Sequence, residues 1–356
     1  MIVLTNPFQE TRPANAAGRV FSYEEGRKIF RFPLVVTLLK SKSMNRRLRV
    51  SSSLIVTFAC AVVALILFTL NGGDRAVAQE KPTAKKKIVF VAGKPSHKAG
   101  EHEHRAGCML LADQINRSGL PVEAVVVTDG WPADKSVFDG ASAVVIYADG
   151  GGRHPAMQQL ADLRKMAEAG VGVGCIHYAV EVPKGEGGDA FLDVLGGYFE
   201  TDWSVNPHWD AKFKIPTHEV TKGVKDFGIR DEWYYHMRFR KNMEGITPIL
   251  SDLPSAETLS RPDGAHSGNP HVRASVLERK EPQHVMWAYE RPAALGGGRA
   301  FGFTGGHFHK NWAQDDQRKV VLNSIAWIAG LPVPEGGVPN KTPTAEEMAA
   351  NLDKKG

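Results

Sequence analysis

The sequence predicts an α/β fold in which helices cover both faces of a mostly parallel sheet, with an irregular strand- and loop-rich insertion. Three observations predict it. Runs of Val and Ile recur along the first half of the chain, helical segments separate them, and glycines end several of them. Strands that are apolar on both faces and alternate with helices are typical of parallel sheets buried between helical layers.

The first half of the chain supplies four such strands and two helices. In the first helix, Cys108, Leu111, Ala112 and Ile115 have the i, i+3, i+4, i+7 spacing of one helix face, so Cys108 is predicted to be a core residue. Pro155 opens the second helix, because proline suits a first helical turn. The predicted elements are strands at 87–93, 122–130, 142–152 and 171–177 and helices at 105–118 and 155–169.

The pattern changes between about residues 196 and 298. Trp, His, Asn-Pro and Asp-Gly become frequent there, which favours loops and irregular strands over a separate domain with its own core. Two late strands are predicted at 283–290 and 298–306, and a last long helix at about 315–329.

An apolar run at 54–70 is preceded by arginines and followed by Ala76-Val77-Ala78. This order of basic, apolar and small residues predicts a secretory signal peptide over 44–78, cleaved near Ala78, and therefore an exported, periplasmic or extracellular protein. The alternative is an uncleaved membrane anchor at 54–70, because the run is close to the length that spans a bilayer.

The predicted signal peptide divides the remainder of the chain into further segments. Residues 1–43 are predicted to be a non-structural extension or the product of a mis-assigned start. Residues 79–86 are a polar linker, 87–331 form a single domain, and 332–356 are a Pro/Gly-rich and charged tail.

Charge and cysteine content exclude two classes of protein. Residues 1–78 carry 11 Lys or Arg and 4 Asp or Glu, whereas the remainder carries 33 and 35. A nearly neutral body lacks the basic surface that binds a polyanion, so no nucleic-acid partner is predicted. Cys108 and Cys175 are too few for a disulfide scaffold, and both are predicted to be buried and unpaired.

Histidines concentrate where the predicted strands end. Seven of the 13 histidines follow such strands, and ligands bind beyond the carboxyl ends of strands in open parallel sheets. The His-Glu-His and His-Phe-His spacings place two imidazoles on one side of an extended segment. Imidazole clusters bind Zn²⁺ or move protons. We predict that His177 and His307 converge with at least one of His97, His102, His154, His236 or His309.

Two other features suit a ligand site. The glycines at 150–152 either let backbone N–H groups approach an anion or form a tight turn before a helix. The segment 231–236 is polar and aromatic, and with Trp203, Trp209 and Trp312 it offers flat apolar surfaces that suit a sugar ring. Glu181 with Glu232 or Asp231 could supply the two carboxylates of a glycosidase.

The segments DGGGRHP, GCIHYAVEVPKG, DEWYYHMRF and GGHFHKNW resemble the ThuA-like (trehalose-utilisation) family of the class I glutamine amidotransferase-like superfamily. The resemblance covers about 87–331. It implies a flavodoxin-like sheet with helices on both faces and a link to carbohydrate metabolism.

The chain departs from the amidotransferase pattern at the nucleophile. Those enzymes carry a cysteine on a strained turn after a strand, whereas the matching stretch here is Cys-Ile-His-Tyr-Ala. The resemblance places His177 at the turn and Cys175 two residues earlier, within the strand. His307 and His309 match the superfamily's His-Pro-Glu. Three imidazoles cannot run thiol chemistry, but they could hold a divalent metal or act as acid and base.

Three functions follow. The leading hypothesis is an exported carbohydrate enzyme, a lyase, isomerase or hydrolase acting on a trehalose-type or oxidised sugar. The alternatives are an inactive amidotransferase-like module that binds a saccharide or a partner enzyme, and an amidase or protease-like enzyme that depends on Cys175. The cofactor would be a divalent metal such as Zn²⁺ and the ligand a small carbohydrate, with membrane contact only through an uncleaved leader.

The candidate residues are catalytic His177, His307, Glu181 and Glu232; substrate-binding Gly151, Gly152, Arg153, His154, Tyr178, Trp233 and Trp312; and metal-binding His177, His236, His307 and His309.

Overall fold

The computed structural model describes residues 84–355, so the predictions for the extension at 1–43 and the signal peptide at 44–78 lie outside the described residues. Within 84–355, no helix combines the length and the apolar character needed to cross a membrane.

A seven-stranded sheet forms the centre of the fold. Its strands are β1 Lys86–Ala92, β2 Val122–Val127, β3 Ala141–Tyr147, β4 Gly172–Ile176, β9 Ile246–Asp252, β10 Gln283–Glu290 and β11 Arg299–Phe303. Their order across the sheet is β2-β1-β3-β4-β11-β10-β9. The first five strands in this order run parallel, and β10 runs antiparallel to both of its neighbours. The predicted mostly parallel α/β fold is therefore confirmed.

Helices cover both faces of this sheet. Successive strand residues point to opposite sides, so the side chains of one strand enter two separate apolar cores. Phe90 packs in one apolar core with Leu111 and Ile325, whereas Val89 packs in the other with Leu163 and Phe191. Burying one such side chain contributes on the order of 1.5–3 kcal/mol. The helices are α1 His104–Asn116, α2 Leu160–Glu168, α3 Glu186–Val194, α4 Pro270–Arg273, α5 Asp315–Ile328 and α6 Ala345–Ala349.

The insertion contains two small antiparallel sheets. One pairs β5 Gly197–Tyr198 with β8 Arg238–Phe239, and the other pairs β6 His208–Phe213 with β7 Phe227–Glu232. The expectation of loops and irregular strands missed β9, which forms an edge of the central sheet. Pro248 obscures β9 in the sequence, and an edge strand tolerates it because one side of the backbone makes no ladder hydrogen bonds.

The predicted tail folds back onto the domain. Val333 and Val338 are buried in the core that contains α1 and α5. Thr344 caps α6, accepting a hydrogen bond from the backbone of Glu347, whose side chain accepts one in return from the backbone of Thr344. We call residues 332–355 the C-terminal strap.

Candidate metal centre at the carboxyl edge of the sheet

Four side chains from separate parts of the chain converge beyond the carboxyl ends of the parallel strands. The group consists of His102, His177, Glu232 and His307, and one ligand atom from each lies within 4.8 Å of the others. His102 precedes α1, His177 follows β4, Glu232 ends β7 and His307 follows β11. We call these four side chains the histidine cluster.

The separations within the histidine cluster are short. The Nε2 atom of His102 lies 3.1 Å from Nε2 of His177 and 3.1 Å from Nδ1 of His307. The Oε2 atom of Glu232 lies 3.0 Å from Nδ1 of His307 and 3.5 Å from Nε2 of His177. Four donors at about 2.0–2.1 Å from a tetrahedral metal ion stand about 3.3–3.4 Å apart, so the cluster has the size of a metal site.

His177 occupies a strained turn at the end of β4. Its φ is +56°, a left-handed conformation that non-glycine residues rarely adopt. The Nδ1 atom lies 2.8 Å from the carbonyl oxygen of Thr304 and donates to it, because a carbonyl can only accept. Nε2 therefore carries a lone pair that points into the cluster.

His102 is held in a similar way by a carboxylate. It also has a positive φ, +46°, and its Nδ1 lies 2.9 Å from Oδ1 of Asp149. The same oxygen accepts a hydrogen bond from Ser96 at 2.8 Å. The ring of His97 stacks on His102 with centroids 3.5 Å apart. His97 and Asp149 thus fix the orientation of the His102 ring, with its Nε2 facing the cluster.

His307 is positioned by a buried carboxylate next to Glu232 in the sequence. Asp231 is fully buried and accepts hydrogen bonds from the backbone N–H groups of Gly306 and His307 at 2.8 and 3.1 Å. It also accepts one from the side chain of Asn311 at 2.9 Å. Asp231 therefore shapes the loop after β11 and does not face the cluster as a second glycosidase carboxylate.

The electrostatics of the cluster favour an ionised Glu232 and a neutral His102. Burial alone would raise the pKa of Glu232, but the short contacts of its carboxylate with His177 and His307 hold that pKa well below its usual range. Burial lowers the pKa of His102 despite its bond to Asp149. For His307, burial is outweighed by the bond and charge of Glu232, and its pKa is raised.

A cleft of about 740 Å³ opens beside Glu232, a size typical of small-molecule sites. Glu232 accepts a hydrogen bond at Oε1 from Asn206, 3.2 Å away, and Nε2 of His208 lies 3.7 Å from the same oxygen. On the cluster side, the hydroxyl of Tyr234 lies 3.3 Å from both Oε2 of Glu232 and Nε2 of His177. Glu232 thus joins the buried histidines to an open cleft.

The sequence model of the family described as "ThuA: Trehalose utilisation" matches residues 89–328. The chain belongs to the ThuA family. No curated protein of known function matches it.

Solved structures similar to this ThuA-family chain have low sequence identity to it. A ThuA-like protein from Bacteroides uniformis is 14% identical with a TM-score of 0.49, over 71% of this chain and 94% of that one. A ThuA-like protein from Parabacteroides merdae is 14% identical with a TM-score of 0.44, over 72% and 98%. A glutamine amidotransferase from Thermotoga maritima is 8% identical with a TM-score of 0.39, over 69% and 99%.

Two predicted metal ligands of this ThuA-family chain lie outside the histidine cluster. A helical turn begins at His309, so the extended His-Phe-His geometry ends there and Nε2 of His309 bonds the carbonyl of Met348 at 3.1 Å. His236, at φ +57°, turns toward Trp203, and its Nδ1 bonds the carbonyl of that residue at 2.8 Å. His104, which opens α1, likewise diverges from His102 and bonds the carbonyl of Lys94.

The predicted aromatic sugar platform is wrong for Trp233 and Trp312, which are fully buried. Trp233 packs edge-on against Phe213, and Trp312 packs in the core near Tyr147. These two side chains stabilise the fold. Trp209 is only 5% exposed, and that small part forms some of the wall of the 740 Å³ cleft.

Glu181 and the glycine run join two loops at the edge of the sheet. Glu181 is buried outside the histidine cluster, with Oε1 3.0 Å from Nε2 of His266. Its carbonyl accepts a hydrogen bond from the backbone of Gly151, 2.9 Å away. Any Cβ on Gly150 would lie 2.2 Å from the carbonyl oxygen of Tyr178. The structure therefore supports the tight-turn interpretation of these glycines.

The other predicted substrate-binding residues flank a second cleft of about 700 Å³. Gly152, Arg153 and His154 line it together with Asp149. Arg153 is exposed, whereas His154 is buried and its Nδ1 accepts a hydrogen bond from the backbone of Ala156. Tyr178 is half-buried, its ring centroid 6.0 Å from that of His102. Asp149 connects this cleft to the histidine cluster, because it lines the cleft and bonds His102.

Both described cysteines are free and buried, as expected from the sequence. Cys175 lies inside β4 among apolar side chains, and burial raises the pKa of its thiol far above the usual range. A thiolate nucleophile at this position has no support.

Sequence reasoning missed Asp149 as a partner of His102, and it missed Tyr234 and His208. Asp149 carried a signal, because it follows β3 at the same edge as His102 and His177. The carbonyl of Thr304, which accepts the hydrogen bond from His177, carried no signal, because every residue has a backbone carbonyl.

Proposed function

We propose that this chain is a divalent-metal-dependent enzyme of carbohydrate breakdown, exported after removal of its leader. His102, His177, His307 and Glu232 would hold the metal, for which Zn²⁺ is the leading candidate. One observation carries the proposal: Nε2 of His102 and Nε2 of His177 stand 3.1 Å apart, while each ring's other nitrogen donates to an acceptor.

Two neutral imidazoles in these tautomers present lone pairs to each other, and a cation between them satisfies both. A divalent metal satisfies both lone pairs, the nitrogen of His307 and the charge of Glu232 at once. The partners of His102 and His177 are those usual for histidines that bind a metal, which donate their other N–H to a carboxylate or a carbonyl.

The chemistry expected at such a centre is proton transfer beside a polarised oxygen. A bound metal would act as a Lewis acid toward a sugar carbonyl or hydroxyl. Glu232 lies between the cluster and the cleft, where it can take or return a proton, and Tyr234 can donate its hydroxyl. These groups suit a lyase, isomerase or hydrolase step on a trehalose-type or oxidised sugar.

The lining of the cleft supports a polar ligand. It combines amide and hydroxyl groups, such as Asn206 and Ser260, with charged side chains of both signs, such as Lys212 and Glu257. Such a mixture of donors and acceptors matches the hydroxyls of a saccharide. The family description, trehalose utilisation, agrees with this choice.

The alternative is a saccharide-binding module without catalysis. This alternative requires a groove walled by aromatic rings, yet Trp233 and Trp312 are fully buried and only a small part of Trp209 reaches the cleft wall. It also gives no role to the convergence of four ligand side chains. The metal enzyme therefore explains more of the structure.

Elemental analysis of the purified protein tests whether it binds a metal. The variants His307→Ala and His309→Ala form a matched pair, because the two histidines belong to one tripeptide. We expect about one Zn²⁺ or related ion per chain in the wild type and in His309→Ala, and loss of the ion in His307→Ala. Trehalose and an oxidised trehalose would then be assayed with and without a chelator.

The outcomes separate the hypotheses. Turnover that disappears with chelator and returns with metal supports the enzyme. Saccharide binding without turnover, equally strong after chelation, supports the binding module. A wild-type protein that takes up no divalent ion would overturn the proposal.

A further inference from the structure

We propose that the C-terminal strap positions the metal ligand His102, and that Lys355 and Glu103 are the positioning residues through which it acts. This inference rests on the proposed function, because it assigns His102 to a metal site. It adds a part of the chain that the sequence marked only as a charged tail.

The contact between strap and domain is a buried ion pair. Nζ of Lys355 lies 3.2 Å from Oε1 of Glu103, and the two side chains are only 4% and 1% exposed. The same ammonium donates a hydrogen bond to the carbonyl of His102, 3.1 Å away, and another to the carbonyl of Glu101. All three acceptors belong to one short segment, 101–103, with His102 at its centre.

Glu103 links the strap to the rest of the His102 loop. Its Oε1 accepts a hydrogen bond from the backbone of Gly100 at 2.9 Å, and its Oε2 accepts one from the backbone of Asp353 at 2.8 Å. Glu103 therefore ties the start of the loop and the strap to one carboxylate. These bonds keep the pKa of Glu103 below its usual value although burial alone would raise it.

A second set of contacts fixes the strap next to the histidine cluster. The side chain of Arg105 donates to the carbonyl of Leu352 at 2.8 Å and lies 3.4 Å from the carboxylate of Asp353. The carbonyl of Met348 lies 3.1 Å from Nε2 of His309, two residues beyond the ligand His307. The strap thus contacts the loop that carries His102 and the loop that carries His307.

The conformation of His102 explains why such support matters. Its φ of +46° is unfavourable for a residue with a side chain and persists only where surrounding contacts hold it. One hydrogen bond comes from inside the site, where the backbone of His102 donates to the carbonyl of His307 at 3.0 Å. Lys355 holds the other end of the same residue. Without Lys355, the loop can relax and move Nε2 of His102 away from its partners.

Zn²⁺ affinity tests the inference in the full chain. We would compare wild type, Lys355→Met and the exposed neighbour Lys354→Met by competition with a chromogenic chelator. We expect Lys355→Met to bind Zn²⁺ about 10- to 100-fold more weakly, the usual effect of losing a residue that orients a ligand. Lys354→Met should bind as the wild type does.

The double variant Glu103→Gln/Lys355→Met separates positioning from buried-charge effects. It leaves no uncompensated charge, so it should regain thermal stability relative to Lys355→Met. Its Zn²⁺ affinity should stay low, because the bonds to the carbonyls of Glu101 and His102 are still missing. Recovery of both properties together would show that Lys355 acts on stability alone and would overturn the inference.

Hydrogen exchange of the backbone at 97–104 supplies a readout that needs no metal. Lys355→Met should speed exchange there by on the order of tenfold and leave the strands β1 and β3 unchanged. If the wild type binds no Zn²⁺, the proposed function fails, and this measurement still decides the role of the strap. Unchanged exchange in 97–104, or unchanged Zn²⁺ affinity in a metal-binding wild type, overturns it.

Discussion

Asp149 orients His102 through a hydrogen bond of 2.9 Å between Oδ1 and the ring nitrogen Nδ1. Burial would raise the pKa of Asp149, but its bonds to His102 and Ser96 keep it well below the usual range, so the group is a carboxylate at neutral pH. A carboxylate can only accept, and His102 must therefore carry its proton on Nδ1. The basicity of Nε2, which faces the cluster, increases as a result.

Asp149→Asn should therefore weaken Zn²⁺ binding by about 10- to 100-fold while the fold is retained, because the amide lacks the charge that fixes the tautomer and raises ligand basicity. Chelator competition measures the affinity, and circular dichroism checks the fold. Asp162→Asn, which removes a surface partner of Lys135, is the control. Equal affinity in Asp149→Asn and wild type would show that Asp149 has no orienting role.

Trp312→Ala should lower the free energy of unfolding by about 3–5 kcal/mol, as expected for a large buried aromatic side chain that leaves a cavity. Trp312→Phe keeps part of the packing and should lose less. Urea unfolding followed by far-ultraviolet circular dichroism measures both values. If Trp312→Ala is as stable as the wild type but binds saccharide more weakly, Trp312 is a ligand contact after all.

The ion pair between His266 and Glu181 should make the loop at 261–268 pH-sensitive. The hydrogen bond to Glu181 is the main reason that the pKa of His266 is raised above its ordinary 6.5, and burial opposes it only in part. A raised histidine pKa means that the stabilisation is complete below the unfolded-state value. It is lost as the pH rises through the folded-state value.

The thermal midpoint of wild type minus that of His266→Gln should thus be largest below pH 6.5 and shrink above it. Differential scanning calorimetry between pH 5 and pH 9 measures this difference. His271→Gln, which removes an exposed histidine of the same region and leaves the pair of His266 and Glu181 in place, is the control. A difference that grows with pH would contradict the role given to the pair.

Cys108 and Cys175 should react slowly with a thiol reagent in the native protein, because both are buried and burial raises both thiol pKa values. Titration with Ellman's reagent before and after denaturation in urea measures this. Both thiols should become reactive on unfolding. Fast native modification of Cys175 with loss of activity would restore the cysteine-enzyme hypothesis.

The sequence predicted the central sheet because its signal is local and repeated. Buried parallel strands need continuous apolar runs, so β1, β3 and β4 are visible without any knowledge of their neighbours. β9 was missed because it contains Pro248 and owes its pairing to β10, more than 30 residues later. Strand-end logic also placed His102, His177 and His307 at one edge, which follows from parallel topology alone.

The composition of the histidine cluster was decided by tertiary structure. His307 and His309 are equivalent in the sequence, but the turn that begins at His309 directs it to the strap and leaves His307 in the site. Glu232 and Trp233 are neighbours whose roles separate because successive strand residues face opposite sides. The sequence thus determined which residue types reach the carboxyl edge of the sheet. Only the fold decided which side chains meet there, because turn geometry and contacts between distant segments set side-chain direction.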